Sequence, residues 1–159
     1  MEMGGKQTVF IALGSNIGDR GASLKQAIQQ LSMRGVEVVA ESKVMETEPV
    51  GFQSEHLFLN QVVEGLTAFS PSQLLEVTQE IERELGRSEK SHSGIYKDRS
   101  IDLDLILYGD DVVEQEGLTI PHPRFRERLF VLKPLAEIAP NVVDPVTGKT
   151  IQQLLWDAL

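Results

Sequence analysis

Apolar side chains occupy every second position of the segment IDLDLILY, Ile101 to Tyr108. A period of two builds one continuous apolar face only in an extended strand; a helix would scatter the same residues around its axis. The alternation predicts that Ile101, Leu103, Leu105 and Leu107 share one face, and that Asp102, Asp104, Ile106 and Tyr108 share the other. Such a strand must lie in a sheet with a covering layer on its apolar side. Its polar side carries two carboxylates two residues apart, which sets their Cα atoms roughly 6.6 Å from each other. Carboxylates that close repel unless a cation lies between them. Hard oxygen ligands suit Mg²⁺, which takes one or two carboxylates and leaves its other positions to water and phosphate. From the strand alone, a solvated acidic face and a metal site are both open readings. Arg99, just upstream, favours the second, because a cation beside a diacid suits a metal-bound phosphate.

The remaining segments supply partners for that strand. Val9–Leu13 is a short apolar run and reads as a buried strand, ending in the turn signal Gly14-Ser15-Asn16. Leu24, Ala27, Ile28 and Leu31 follow helical spacing, with Gly35 as the stop. Val36, Val38 and Ala40 alternate as a second strand. Glu46 to Glu55 contains Pro49 and Gly51 and is predicted to be a loop. Phe58–Leu66 reads as a third strand. Ser70-Pro71 opens the clearest helix, with Ser70 as N-cap, Pro71 in the first turn and Gln73 completing a capping box. Leu74, Leu75, Thr78, Ile81 and Leu85 line one face of it, and Gly86 ends it. Arg87–Lys97 has no apolar period and is predicted to be a mobile loop. Pro123–Ile138 turns helical again, and Ile151–Leu159 is a terminal helix. The order β-α-β-β-α-β, with extra C-terminal helices, predicts an α+β, ferredoxin-like sheet with helices packed on it. At 159 residues the chain suits a single domain spanning 1–159.

Composition narrows the function. The absence of cysteine excludes a disulfide framework, a thiolate metal site and a cysteine nucleophile. No apolar run reaches the ~18–20 residues of a membrane span, and the start, MEMGGKQTVF, lacks a signal-peptide core. The predicted location is therefore cytoplasmic, with no membrane partner. A net charge of −9 argues against nucleic acid as a partner. The charge is uneven, however: Arg83–Lys133 holds 9 of the 15 basic residues and 10 of the 24 acidic ones. That near-neutral stretch is where a small polyanion would be met.

Four other features are candidates for chemistry. Arg87, Lys90, Lys97 and Arg99 surround the predicted loop, either as solvated charge or as a lid closing on phosphate oxygens. His122, in Ile120-Pro121-His122-Pro123-Arg124, is either part of a proline-held turn or a donor to a phosphate. Gly14-Ser15-Asn16-Ile17-Gly18-Asp19 follows a strand and opens a helix. It lacks the Lys-Ser/Thr of a Walker loop, so a turn plus N-cap is favoured over a phosphate cradle. Phe58 and Asn60 share a strand face, where an aromatic and an inward amide suit a flat heterocycle. An aromatic alone would more often be core, but a buried amide must find partners.

Taken together, ALGSNIGDR, ETEPVGF with FLNQVV, TQEIERELGR, DRSIDLDLILYG and IPHPRFRERLFVLKPLAEIAP resemble the 6-hydroxymethyl-7,8-dihydropterin pyrophosphokinase family. The segments occur in the family's order and cover most of residues 8–140. The resemblance implies transfer of pyrophosphate from ATP to the pterin hydroxymethyl group, with release of AMP, in folate biosynthesis. It implies two Mg²⁺ ions on Asp102 and Asp104, and Arg87 and Arg99 as catalytic loop arginines that also touch ATP. It places Gln79, Glu82, Thr119, His122 and Arg128 on the ATP side. Phe58, Asn60 and Phe130 fall on the pterin side with backbone from Thr47 to Val50, the two phenylalanines sandwiching the ring. The expected partners are these small molecules only, and the expected state is a monomer. Two departures stand out. Tyr96-Lys97-Asp98 replaces the Trp-Gly-Pro that many members have before the arginine, and Phe58 replaces a frequent tyrosine.

Overall fold

The computed structural model describes residues 5–16, 19–47, 57–86 and 101–159. Strand β1 (Gln7–Ser15) leads to helix α1 (Arg20–Met33), β2 (Val36–Glu41), β3 (Met45–Thr47) and β4 (Phe58–Thr67). Helix α2 (Pro71–Gly86), β5 (Asp102–Tyr108), the short strands β6 (Val113–Gln115) and β7 (Leu118–Ile120), α3 (Leu129–Ile138) and α4 (Ile151–Ala158) complete the order. The main sheet runs β2-β4-β1-β5, with β3 added on β4. Every pairing in it is antiparallel. The molecule is thus α+β.

Local chemistry starts and stops the helices where the sequence predicts. Asp19 caps α1, its Oδ1 accepting from the Ala22 N–H at 3.1 Å. Ser70 and Gln73 form the reciprocal capping box of α2: Gln73 N donates to Ser70 Oγ at 3.2 Å and Ser70 N to Gln73 Oε1 at 2.9 Å. Gly35, after α1, has φ of +107°, and an added Cβ would come within 2.8 Å of the Phe69 ring. Only glycine meets both demands. Arg34 then ties the two helices together, donating to Glu80 and Glu84 of α2.

The sheet separates two apolar layers. On one side Val9, Ile11 and Leu13 meet Leu24 and Leu31 of α1 and Leu74 and Ile81 of α2. On the other side Phe10, Val62 and Ile106 meet Phe125, Leu132 and Leu135, with Ile151 of α4. No helix among the described residues is long and apolar enough to cross a membrane.

Three predictions from the sequence need correction. The alternation of β5 breaks after Leu105. Phe10 pairs with Leu107 and Ile11 with Leu105, so Ile106 is an extra residue on β5. Beyond this bulge the side chains change face. Leu107 joins Ile106 in the α3/α4 layer, and Tyr108 joins the α1/α2 layer, where its hydroxyl donates to the Phe69 carbonyl at 2.5 Å. Next, Glu46 and Thr47 are not loop: they belong to β3, paired with Leu59 and Phe58. Pairing across the sheet stabilises a segment too short to declare itself by period. Finally, β6 and β7 form a hairpin that the sequence reading missed. Its one signal was Gly117, which takes φ of +81° in the turn.

Candidate active site

The chemistry-bearing side chains gather where β1 is narrowest. Gly14 pairs with Asp102 of β5 on one side and Asn60 of β4 on the other, and Asn60 pairs with Met45 of β3. Two residues along, Ala12 lies between Asp104 and Val62. Paired residues of an antiparallel ladder point to the same face. The central strand therefore contributes a hydrogen and a methyl group, while its neighbours contribute two carboxylates and an amide. The result is a trough over Ala12 and Gly14, with Asp102 and Asn60 about 10 Å apart at the Cα atoms, two strand spacings. A Cβ built on Gly14 would meet Asn60 Oδ1 at 3.4 Å and the Phe58 ring at 3.5 Å, ordinary contact distances, so this position borders both groups.

Asn60 is buried, and its Nδ2 donates to Thr47 Oγ1 at 2.6 Å. That bond fixes which way the amide faces. Thr47, Phe58 and Asn60, which the sequence places on one side of a ligand, are brought together by the β3–β4 ladder. Asp102 and Asp104 keep to one face, as predicted, because the bulge lies beyond them. Glu82 of α2 reaches the outer edge of β5, its Oε2 accepting from Leu103 N at 2.7 Å. It thereby ties α2 to the strand between the two aspartates. Gln79, one turn earlier, and Thr119 of β7 are exposed. Among the described residues no three His, Asp or Glu side chains gather as a metal-binding group. A two-carboxylate site suits Mg²⁺, which draws its remaining oxygens from phosphate and water.

His122 closes the trough at the β5 edge. Its backbone N–H donates to the Ile106 carbonyl at 3.0 Å, and its Nδ1 accepts from Arg124 N at 3.1 Å. The proton of the neutral ring is therefore on Nε2, which is left as a donor. Burial, then the positive charge of Arg128, and to a lesser extent Arg124, push the imidazole down to about 4, against an opposing pull from Asp102. The ring is neutral at pH 7. A folded value below the ordinary 6.5 means that the unfolded chain binds the extra proton first. The stability contributed by the neutral ring is thus complete above about pH 6.5 and is lost as pH falls toward 4. In an NMR titration of the ligand-free protein the His122 Cε1–H resonance should titrate with a midpoint well below 6, and Arg128→Ala should raise it. A midpoint near 6.5 in both proteins would remove the proposed environment.

Arg128 and Phe130 are held beside His122, the Arg128 guanidinium 5.6 Å above the Phe130 ring centroid. The turn that carries them is fastened from behind. Arg126 donates to the fully buried Asp144 at 2.6 and 3.0 Å, and Asp144 also accepts from Val146 N and Thr147 Oγ1. Burial alone would raise the Asp144 carboxyl, but these hydrogen bonds and the Arg126 charge outweigh it and hold the group below its ordinary value. The sequence reading missed this lock, and missed the part played by Ala12 and Gly14. The spacing of Ala12 and Gly14, two apart like the aspartates, was the one available signal. Arg87, Arg99, Val50 and the predicted loop Arg87–Lys97 lie outside the described residues.

Residues 10–140 match the model of the 7,8-dihydro-6-hydroxymethylpterin-pyrophosphokinase (HPPK) family. The chain belongs to this family. The match takes in the whole trough, from Ala12 to Phe130, and leaves α4 outside. The 2-amino-4-hydroxy-6-hydroxymethyldihydropteridine pyrophosphokinase of Bacillus subtilis is 46% identical over 145 residues, covering 91% of this chain and 85% of that protein. The protein of the same name from Porphyromonas gingivalis is 44% identical over 133 residues, covering 83% and 90%. A crystal structure of wild-type Plasmodium falciparum HPPK-DHPS superposes with a TM-score of 0.74 at 14% identity. It covers 96% of this chain, which spans 44% of that longer one. At that identity the likeness concerns the HPPK fold alone.

Proposed function

We propose that this chain transfers pyrophosphate from ATP to the hydroxymethyl group of 6-hydroxymethyl-7,8-dihydropterin, releasing AMP, as a step of folate biosynthesis. The rung Asp102–Gly14–Asn60 carries the proposal, because it sets a diacid and a fixed amide on either side of a glycine floor. Asn60 offers the polar edge of the pterin a partner, and Phe58 and Phe130 supply stacking faces, with Thr47 and Val50 completing that side. Gln79, Glu82, Thr119, His122 and Arg128 form the ATP side, the Nε2–H of His122 donating to a phosphate oxygen. Two Mg²⁺ ions on Asp102 and Asp104, when bound, neutralise phosphate charge and acidify the attacking hydroxyl. The hydroxymethyl oxygen bonds to the β-phosphorus, the bond from that phosphorus to the α-phosphate oxygen breaks, and the hydroxyl proton passes to solvent. Such a transfer needs positioning and charge stabilisation more than covalent help, and Arg87 and Arg99 supply charge as AMP leaves.

The proposal takes residues 1–159 as one pyrophosphokinase domain acting as a cytoplasmic monomer. It reads the fold as ferredoxin-like, supported by the antiparallel order β2-β4-β1-β5, whose four strands follow β-α-β-β-α-β along the chain once the added β3 is set aside. AMP release from ATP and Mg²⁺, measured with and without hydroxymethyl-dihydropterin, tests the activity. Release only with the pterin is expected. Turnover of ATP without it would indicate a phosphohydrolase, and none in either case a binding module.

The pterin side has its own test. Stacking on an aromatic is worth about 1–3 kcal/mol per ring in nucleobase systems, so Phe130→Ala should weaken pterin binding by about 10-fold or more. Asn60→Ala should do likewise, since the ring edge loses its partner. ATP affinity should change much less in both. Calorimetry that showed equal losses for the two ligands would point to general disruption of the fold.

A further inference from the structure

Arg20, the first residue of α1, is unused by the catalytic scheme, yet its side chain reaches two strands. Its Nη1 donates to the Leu57 carbonyl at 2.6 Å and to Glu46 Oε2 at 3.1 Å. Leu57 immediately precedes Phe58, and Glu46 precedes Thr47. One guanidinium nitrogen thus joins the end of β3 to the start of β4, at the rung where Thr47 pairs with Phe58.

The direction of approach matters. Side chains alternate along a strand, so Met45, Thr47, Phe58 and Asn60 face the trough while Glu46 and Leu59 face the other way. Leu59 packs with the α1/α2 layer, which confirms the side. Arg20 therefore grips the ladder from behind, and its own side chain stays off the ligand face. The Asp19 cap sets where α1 begins and so where Arg20 projects. β3 has three residues and pairs with β4 through Met45, Glu46 and Thr47. So short a ladder has little of its own to fix the angle at which Thr47 meets Asn60.

We infer that Arg20 is a positioning residue for the pterin side of the site: through Glu46 and the Leu57 carbonyl it sets the β3–β4 register that orients Thr47, Phe58 and Asn60. This rests on the pyrophosphokinase reading and deepens it. The ion pair is too exposed to matter much for global stability, its side chains being 31% and 48% accessible. The effect belongs instead in selective binding.

The test is calorimetric titration of hydroxymethyl-dihydropterin into enzyme holding Mg²⁺ and a non-hydrolysable ATP analogue, with the analogue titrated separately. Wild-type pterin binding checks the underlying reading; its absence would overturn that reading and this inference with it. If wild type binds, Arg20→Ala should weaken the pterin about 10-fold, on the scale of one lost orienting contact, and leave the ATP analogue within about twofold. Arg20→Lys should recover part of the loss, because the ammonium keeps the charge but sits one atom short of the position of Nη1 between the two acceptors. Glu46→Gln, which keeps an acceptor, should cost less than Arg20→Ala and guards against a variant that fails to fold. In an Asn60→Ala background, Arg20→Ala should add less than it does alone, because one of the groups it orients is already gone. Unchanged pterin affinity in Arg20→Ala, equal losses for both ligands, or full additivity with Asn60→Ala would each overturn the assignment.

Discussion

Turnover should fall by at least about 100-fold when either Asp102 or Asp104 is replaced by Asn, the order seen when one strong electrostatic contact is lost from a transition state. The amide keeps the shape of the carboxylate and removes its charge, so the loss reports on cation binding and not on packing. Both side chains are half-buried at the trough. Two of the interactions that hold β5 in place survive either substitution: its backbone pairing with β1, and the Leu103 N–H donated to Glu82. Thermal midpoints should therefore stay close to wild type. The measurement is AMP release at limiting Mg²⁺, repeated at high Mg²⁺, where part of the loss should be recovered because weaker binding is offset by mass action. Near-wild-type turnover in both variants at limiting Mg²⁺ would remove the aspartates from the metal site.

Arg99→Ala should lower kcat by about 100-fold or more while changing pterin affinity far less. Arg99 stands three residues before Asp102 in the chain, and in the proposed mechanism it acts on the phosphates. A contact that strengthens as charge develops on the transferring group lowers the barrier without tightening the ground state. Arg99→Lys should rescue only part of the rate, since a point charge does not reproduce the planar fork that holds two phosphate oxygens. Single-turnover quenching, which isolates the transfer step, is the appropriate measurement. A rate loss matched by an equal loss of pterin binding would make Arg99 a general binding residue, and full activity with Lys would show that charge alone suffices.

Local features were readable from the chain because the interactions behind them span only a few residues. The capping box of Ser70 and Gln73, the apolar stripe of Leu74, Thr78 and Ile81 and the Gly35 stop all depend on neighbours within a turn or two, and each is where the sequence puts it. The separation of Asp102 and Asp104 from Leu103 and Leu105 was likewise fixed by the strand's period of two. Together with the family segments, this was enough to give the reaction class and to single out the diacid and the amide as candidates.

The arrangement of those groups was decided only by pairing across strands, a matter of register between residues far apart in the chain. Nothing near Gly14 says that Asp102 and Asn60 will flank it; Asp102 lies 88 positions further along the chain, and the ladder makes them neighbours. The bulge at Ile106 is of the same kind, since the mismatch arises between β1 and β5 and turns Leu107 and Tyr108 to faces that the period of β5 alone would not give. β3 is three residues long and has no pattern of its own; β4 makes it a strand, and the Arg20 side chain, arriving from a helix 26 positions away from Glu46, holds the end of it. Short-range periodicity determines which residues can serve. Long-range register determines which of them meet, because each strand pairing fixes a whole row of partners at once.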